Sequence, residues 1–484
     1  IFTGAVRFAK RVYLELFRKK TKGAENTLIV GAGEAGEQIL RSINFSKGSF
    51  YAPVGFVDDN FSKQGVSIHG VEVLGRIENI PEIVEKKKAK IMIIALPSAG
   101  SGTIKRAVEL GRKAGLEKIK IVPPIHEVIE GKISVTNLRE IQTEDLLGRE
   151  PVSLDTRSIE NFIKDKKVLI TGAAGSIGSE LSRQVSKFNP SQVILLDQDE
   201  TGVFNISAEI KNNFPFLHID SLVRDVRDKE EIKKVFAGLR PDIVFHAAAY
   251  KHVPLMEKQP REAVKNNVFG TKNVAEASLE SGVEKFVFIS TDKAVNPSSV
   301  MGATKRIGEM ICQAFNQRNS TRFVSVRFGN VLDSRGSVIP TFKKQIKKGG
   351  PVEVTHPDME RYFMLIPEAA LLVMQAAEMG QGGEVFVLDM GKPVKIVDLA
   401  REMIKLSGFE PDKDIPLVFT KPREGEKLFE ELLTAKEGTL STENQRIFKA
   451  KLGSISPEQV EAILSQLQGQ EGRARELIRK YYLS

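Results

Sequence analysis

The sequence predicts an α/β protein built from two doubly wound parallel-sheet domains, and three observations carry that expectation. Two short apolar runs, NTLIV (26–30) and KVLIT (167–171), each open into a glycine-rich loop. A second apolar run follows each loop and ends in aspartate about 20 residues on, the spacing of a dinucleotide-binding βαβ unit. Further short apolar runs then recur in order, as the later strands of such a sheet would.

At 484 residues the chain is too long for one ordinary domain and long enough for two or three packed cores. The single cysteine, Cys312, excludes a disulfide framework and a cysteine zinc site, and fits a reducing, cytoplasmic location. His69, His126, His218, His246, His252 and His356 are scattered and never share ligand spacing on one face, so no metal is expected. The formal charge of +9 could suggest nucleic acid, but Lys and Arg are spread along the chain without any RNA- or DNA-binding signature. Anionic small molecules are the expected partners, and no nucleic acid.

Residues 1–23 are the exception. Arg7, Lys10, Arg11, Arg18, Lys19, Lys20 and Lys22 face one acid, Glu15, with Phe, Val, Tyr and Leu between them, which reads as a basic amphipathic helix. The chain opens on Ile1 rather than Met, so upstream sequence is expected. No run could span a bilayer, so this chain itself is expected to be soluble. A polybasic helix just after a missing membrane segment would obey the positive-inside rule; a solvated helix packed on the next domain fits these residues equally.

Residues 24–150 read as the first domain, Rossmann-like. Gly31, Gly33 and Gly36 follow the first strand, VGFV ends in Asp58-Asp59, and KIMIIAL (90–96) and IKIVPP (119–124) supply later strands. A lone G-x-G-x-x-G serves equally as a packing turn or a ligand loop, and both readings stay open.

The second start is more specific. Gly172, Gly175 and Gly178 stand in the wider G-x-x-G-x-x-G spacing, and with Ser176 and Ile177 they form a loop whose backbone can approach a pyrophosphate at a helix N-terminus. QVILLDQDE (192–200) ends its apolar run in Asp197, placed to accept from ribose hydroxyls. With no basic residue between Asp197 and Glu200, NAD is expected over NADP. Asp225 and Val226 after the third strand suit the adenine edge. Ala247, Ala248 and Ala249 let a cofactor lie against a strand end, and Asn267 offers a hydrogen bond beneath it.

Downstream, Thr291-Asp292-Lys293 precedes MGATK (301–305) at the start of a predicted helix. Met301 stands four residues before Lys305, and a thioether neither takes nor gives a proton. Thr291-Asp292-Lys293 is therefore either an acid–base group or a helix-capping turn after a strand.

TGAAGSIGSE, AAAYKHVPLME, ISTDKAVNPSSVMGATKR, RFGNVLDSRGSVIPTF, ERYFMLIPEA and REGEKLFEELL, in order from residue 150 to about 435, resemble the UDP-N-acetylglucosamine 4,6-dehydratases of bacterial polysaccharide and glycan biosynthesis. These belong to the extended short-chain dehydrogenase/reductase superfamily. The resemblance implies a catalytic NAD-binding domain over 151–455 with a smaller C-terminal substrate lobe, and a helical tail over 456–484. It also implies a preceding Rossmann-like domain, a membrane anchor in the full-length protein at the cytoplasmic face of the inner membrane, and a homo-oligomer. Helices beginning near Asn267 and Met301 commonly pair subunits in this superfamily.

The implied reaction is internal redox on UDP-N-acetylglucosamine: oxidation at carbon 4, loss of water across carbons 5 and 6, and return of hydride to carbon 6. Methionine at position 301 resembles the large, configuration-retaining members. Lys293 is assigned as the base on carbon 5 and Asp292 as the acid on the leaving hydroxyl, which requires a lowered lysine and a raised aspartate pKa. Thr291 would bond the carbon 4 hydroxyl, and Lys305 the nicotinamide ribose. Which group deprotonates the carbon 4 hydroxyl is open between Asp292 through Thr291 and an ordered water. Lys251, His252 and Pro254 would line the sugar pocket; Asn330, Ser334, Arg335 and Ser337 suit a diphosphate, and Val338 uracil. Arg361 and Arg423 would pair phosphate, and Glu426 the uridine ribose. Asp333 and Arg335 depart from the smaller residues of the family. The alternatives are a C5-inverting dehydratase, a 4-epimerase, or a non-catalytic NAD-binding sensor or scaffold.

Overall fold

A computed structural model describes residues 23–46, 48–123, 134–141, 156–318, 321–432, 438–453, 455–469, 475, 476 and 478. The basic segment expected over 1–23 lies outside them except for Gly23, as do His126 and most of the tail beyond Gly469. Among the described residues no helix is long and apolar enough to cross a membrane. The chain divides into two compact units: residues 1–150 with 402–415, and residues 151–401 with 416–484.

Among its described residues the first unit has a seven-stranded sheet. Its strands run Ser67–Ile68, Val71–Gly75, Tyr51–Val57, Glu25–Val30, Ile91–Ile94, Lys118–Ile121 and Arg139–Glu140 from edge to edge. Glu25–Val30 pairs in parallel with Tyr51–Val57 on one side and Ile91–Ile94 on the other. Leu28, Ile29, Val30 and Ile91–Ile94 are all buried, because helices cover both faces of a parallel sheet.

The second unit's sheet has nine strands among the described residues, in the order Ile219–Val223, Gln192–Asp197, Lys167–Thr171, Ile243–His246, Lys285–Ile289, Arg322–Arg327, Val385–Leu388, Ile447–Ala450 and Thr439–Ser441. The first seven are parallel and the last two antiparallel. Period-two alternation splits each strand between two cores: Leu169, Phe286 and Phe288 face one, Val168, Ile170 and Val287 the other. Both sheets are doubly wound and parallel through their centres, as the sequence predicts, with antiparallel pairings at their edges. Order reverses in the second sheet between Lys167–Thr171 and Ile243–His246, and crevices for ligands open at the carboxyl ends of strands at such a point.

The Pro457–Gly469 helix sets Val460, Leu464 and Leu467 into the core beside Ile311 and Phe315 of the Val300–Asn316 helix. This part of the tail therefore caps its own chain, and it covers a helix whose face was expected to pair subunits.

Candidate functional site

A cleft of about 860 Å³ opens in the second unit at this reversal. Its floor is the loop after Lys167–Thr171. Gly172 has φ +68°, and a Cβ there would stand 2.6 Å from the Ala248 nitrogen, so only glycine lets the two strand ends approach. Gly175, Ser176, Ile177 and Gly178 line the cleft with Ala247 and Ala249; Ala248 does not. Asp197 accepts from the backbone N–H of Ala174 at 2.9 Å and of Asp199 at 3.0 Å, which fixes the loop.

Two other expected cofactor positions, Asp225 and Val226, are not among the residues that line the cleft. Asp225 gives both carboxylate oxygens to Arg227, at 2.6–3.0 Å, so its side chain is engaged away from the cleft. Val226 is 4% exposed and belongs to the core. A basic group does come near the ribose-side acids: Arg335, from a distant loop, pairs with Asp199 at 3.4 Å. Nothing local in the sequence signals that pairing.

Asn267 sits in a π-helical stretch, Val264–Gly270, beneath the cleft. Its Oδ1 accepts from the Tyr250 N–H at 2.8 Å, and its Nδ2 donates to the Tyr250 carbonyl at 3.0 Å and to Thr304 Oγ1 at 3.1 Å. It shapes the 250–252 loop from below. His246, fully buried, bridges Thr171 Oγ1 (2.7 Å, Nδ1) and Thr271 Oγ1 (3.0 Å, Nε2). Thr271 already donates to the Asn267 carbonyl, so Nε2 carries the proton and Nδ1 accepts from Thr171. Burial, and secondarily the charge of Lys305, push the His246 pKa down to about 3.

Thr291, Lys293, Met301 and Lys305 line the cleft together. Thr291 caps a short 3₁₀ turn, Asp292–Ala294, as the capping alternative foresaw, yet the turn also gathers the polar groups. Thr291 Oγ1 donates to Asp292 Oδ1 at 2.8 Å, and Lys293 Nζ donates to the same oxygen and to Asn330 Oδ1, both at 3.0 Å. The Val300–Asn316 helix packs closely here, since a Cβ on Gly302 would stand 2.2 Å from the Lys293 carbonyl oxygen.

Two expectations for this group fail. Asp292 is 0% exposed and does not line the cleft, and its Oδ2 has no hydrogen-bond partner among the described residues. Its Oδ1 is joined to the cleft residues Thr291 and Lys293. Lys293 does not have a lowered pKa: burial pulls its ammonium down, but the Asp292 and Glu430 carboxylates outweigh this and hold it above the ordinary lysine range. Lys305 does: buried with Nζ 4.0 Å from the Phe288 ring centre, its pKa falls to about 8 by desolvation, against opposing pulls from Cys312 and Glu309.

A buried ion pair stands behind the turn. Arg327 grips Glu309 through both carboxylate oxygens, at 2.7 and 2.8 Å, with both side chains 0% exposed. Ser290 donates to the same carboxylate at 2.6 Å and Arg306 at 2.8 Å. The ends of strands Lys285–Ile289 and Arg322–Arg327 are thereby tied to the Met301 helix.

Lys251, His252, Asn330, Ser337, Val338, Arg361, Arg423 and Glu426 all line the cleft. Arg423 is an exposed residue of the cleft wall, and its backbone N–H donates to Glu426 Oε2 at 3.0 Å. Arg361 also ties the cleft wall together. Its N–H groups donate to the carbonyls of Glu360, Lys427 and Leu428 at 2.7–3.1 Å, so it clamps a loop. That loop carries Glu430, a cleft residue the sequence reading did not single out.

A family profile described as "Polysaccharide biosynthesis protein" matches residues 168–452, and one described as "CoA-binding domain" matches residues 2–123. The chain is 48% identical over 472 residues to the capsular polysaccharide biosynthesis protein CapD of Staphylococcus aureus, covering 96% of this chain and 78% of that one. It is 34% identical over 297 residues to a UDP-N-acetylglucosamine 4,6-dehydratase (inverting) of Campylobacter jejuni, covering 60% of this chain and 83% of the relative. The X-ray structure of Pen from Bacillus thuringiensis superimposes with a TM-score of 0.56 at 34% identity, over 63% of this chain and 98% of Pen.

Proposed function

The chain belongs to the polysaccharide biosynthesis protein family of extended short-chain dehydrogenases/reductases, and from that premise we propose that it is an NAD-dependent nucleotide-sugar dehydratase. Its substrate on this reading is UDP-N-acetylglucosamine, converted to the 4-keto-6-deoxy sugar with retention at carbon 5. One observation carries the proposal: the glycine loop, Thr291, Lys293, Met301 and Lys305 share one cleft, with Asp292 bonded to both Thr291 and Lys293 behind it.

The cradle fits NAD, because Gly172, Gly175 and Gly178 line the open cleft and set backbone rather than side chains against it. When bound there, NAD would accept hydride from carbon 4 and return it to carbon 6. Gly172 to Gly178 would hold the pyrophosphate, Asp197 the adenosine ribose and Lys305 the nicotinamide ribose.

The side chains divide the proton transfers. Thr291 passes the carbon 4 hydroxyl proton to Asp292, which needs no exposure of its own for this. Protonating Asp292 removes the strongest attraction holding the Lys293 proton, so Lys293 can release that proton to water in the open cleft and, as the neutral amine, act as base on carbon 5. The proton on Asp292 then leaves through Thr291 with the departing hydroxyl as water. Lys293 returns its proton to the face it came from, which retains the configuration. Met301 leaves this relay unchallenged by a tyrosine.

Incubation of the protein with UDP-N-acetylglucosamine and no added cofactor should give a product lighter by one water, with retained configuration at carbon 5 by NMR. An unchanged sugar would refute the enzyme reading. Inversion would refute only retention and favour the second reading, to which the inverting Campylobacter relative lends support. Lys293→Met should abolish carbon 5 proton exchange and keep NAD bound. We further propose that the full-length protein is anchored at the cytoplasmic face of the membrane and assembles as a homo-oligomer.

A further inference from the structure

We propose that Glu430 is a positioning residue that holds the Lys293 ammonium at the cleft wall and sets its proton affinity. The proposal rests on the reading of Lys293 as the base. Glu430 Oε1 stands 3.7 Å from Lys293 Nζ and 3.7 Å from Arg361 Nε. Its side chain is 4% exposed and lines the cleft. Its Oε2 is buried without a hydrogen-bond partner among the described residues. A carboxylate kept in such a place costs stability unless its charge serves something, and Lys293 and Arg361 are the cations beside it.

The contact is built from several sides. Arg361 fixes the carbonyls of Lys427 and Leu428. Lys427 Nζ donates to the Val295 carbonyl at 2.9 Å, Asn296 Nδ2 to Glu431 Oε2 at 2.9 Å, and Ser298 Oγ to the Gly425 carbonyl at 3.1 Å. The segment carrying Glu430 is thus stitched to the residues just after Lys293, which sets the distance between carboxylate and ammonium. Around Nζ the charged groups are Asp292 from its own turn, Glu430 and Arg361 from across the cleft, and Lys251 from the 250–252 loop, whose own pKa is lowered by burial and then by Lys293. Asp292 changes protonation during the proposed relay, so Glu430 is the negative neighbour that persists. It keeps Lys293 in place when Asp292 becomes neutral, and it limits how far the lysine pKa falls.

Acylation of Lys293 by acetic anhydride, followed by mass spectrometry across pH without substrate, reads this directly. Glu430→Gln keeps the packing and loses the charge; Glu430→Asp keeps the charge and loses packing. The glutamine variant should move the half-reaction pH of Lys293 down by roughly 1–3 units, and the aspartate variant by clearly less. Rescue by aspartate is the outcome a merely structural role would not give. A glutamine profile matching the wild type, or an aspartate profile lower than the glutamine one, would overturn the proposal. If the glutamine variant does not fold, the aspartate variant decides alone, since a full-unit fall there equally overturns it. Dehydration assays on the same variants should show the Lys293 limb of kcat moving with the acylation midpoint and KM within about twofold. Absence of turnover in the wild type would count against the dehydratase reading and leave the acylation result to judge Glu430.

Discussion

The two glycine loops share a skeleton and differ in what surrounds it. In both, the first glycine has positive φ, and the third would place a Cβ 2.0 Å from the carbonyl oxygen of the first: Gly36 against Gly31, Gly178 against Gly172. In both, an aspartate at the next strand end accepts from a loop N–H, Asp58 from Ala32 and Asp197 from Ala174. Their immediate neighbours differ. Lys63 donates to Asp58 at 3.0 Å, and where the Ala248 backbone stands against Gly172, the Ala95 carbonyl oxygen, at 2.6 Å, and the Leu96 side chain, at 2.7 Å, stand against Gly31. Among the described residues the first unit buries no charged side chain, whereas the second buries Asp292, Lys305, Glu309, Arg327 and Glu430 in or behind its cleft. A glycine loop closes a strand–helix turn in either setting. Charge placed where water cannot reach it is the costlier feature, and in the second unit part of it stands in or behind the cleft.

The comparison can be broken most forcefully at that buried charge. Glu309→Ala removes the carboxylate that Arg327 grips with both ends of its guanidinium and should cost the second unit about 3–5 kcal/mol by urea unfolding. A loss under about 1 kcal/mol would mean the pair is solvated and the contrast empty.

His246 comes next. Its unfolded pKa is near 6.5 and its folded value about 3, so its neutral form contributes stability fully above about pH 6.5 that is lost as pH falls toward 3. His246→Gln should flatten that part of the pH–stability curve relative to wild type, by a few kcal/mol. Parallel curves would show that the imidazole is not sequestered.

The matched substitutions Gly36→Ala and Gly178→Ala should each destabilise their own unit by about 1–3 kcal/mol. Only Gly178→Ala should also weaken NAD binding, by at least about tenfold, or about 1.4 kcal/mol. Equal loss of NAD with Gly36→Ala would make the first loop a cofactor site after all.

The smallest effect belongs to Asp58. Burial raises its carboxyl, but the Asn60 and Ala32 N–H groups and Lys63 outweigh this and lower its pKa. Its stabilisation is therefore present above the unfolded value and fades as pH falls through the folded one. Asp58→Asn should remove that acid-side slope, by about 1 kcal/mol or less given its partial exposure, and leave NAD binding untouched.

Much of this was legible in the sequence because strands, loops and their aspartates are local. Glycine spacing and short apolar runs located both sheet starts, and Thr291, Lys293, Met301 and Lys305 come from one stretch that a strand end and a helix bring to the cleft. What escaped was pairing across distance. Nothing beside Arg361 shows that its guanidinium holds the loop from Lys427 to Leu428, or that Glu309 would meet Arg327. Asp292 could be recognised as chemistry-bearing from its neighbours, but not as wholly covered, since covering depends on how Gly302 and Gly329 let other segments close over it.

The π-helical stretch at Val264–Gly270 has a consequence for inheritance. Such a turn holds one residue more than an α-turn, so the register of everything after it depends on that extra residue. Closing it by deletion would rotate Asn267 by about 100° and carry its amide away from Tyr250 and Thr304. At this position the cleft depends on the number of residues as much as on their identity, and a descendant that lost one would have to rebuild the 250–252 loop from a different helix face.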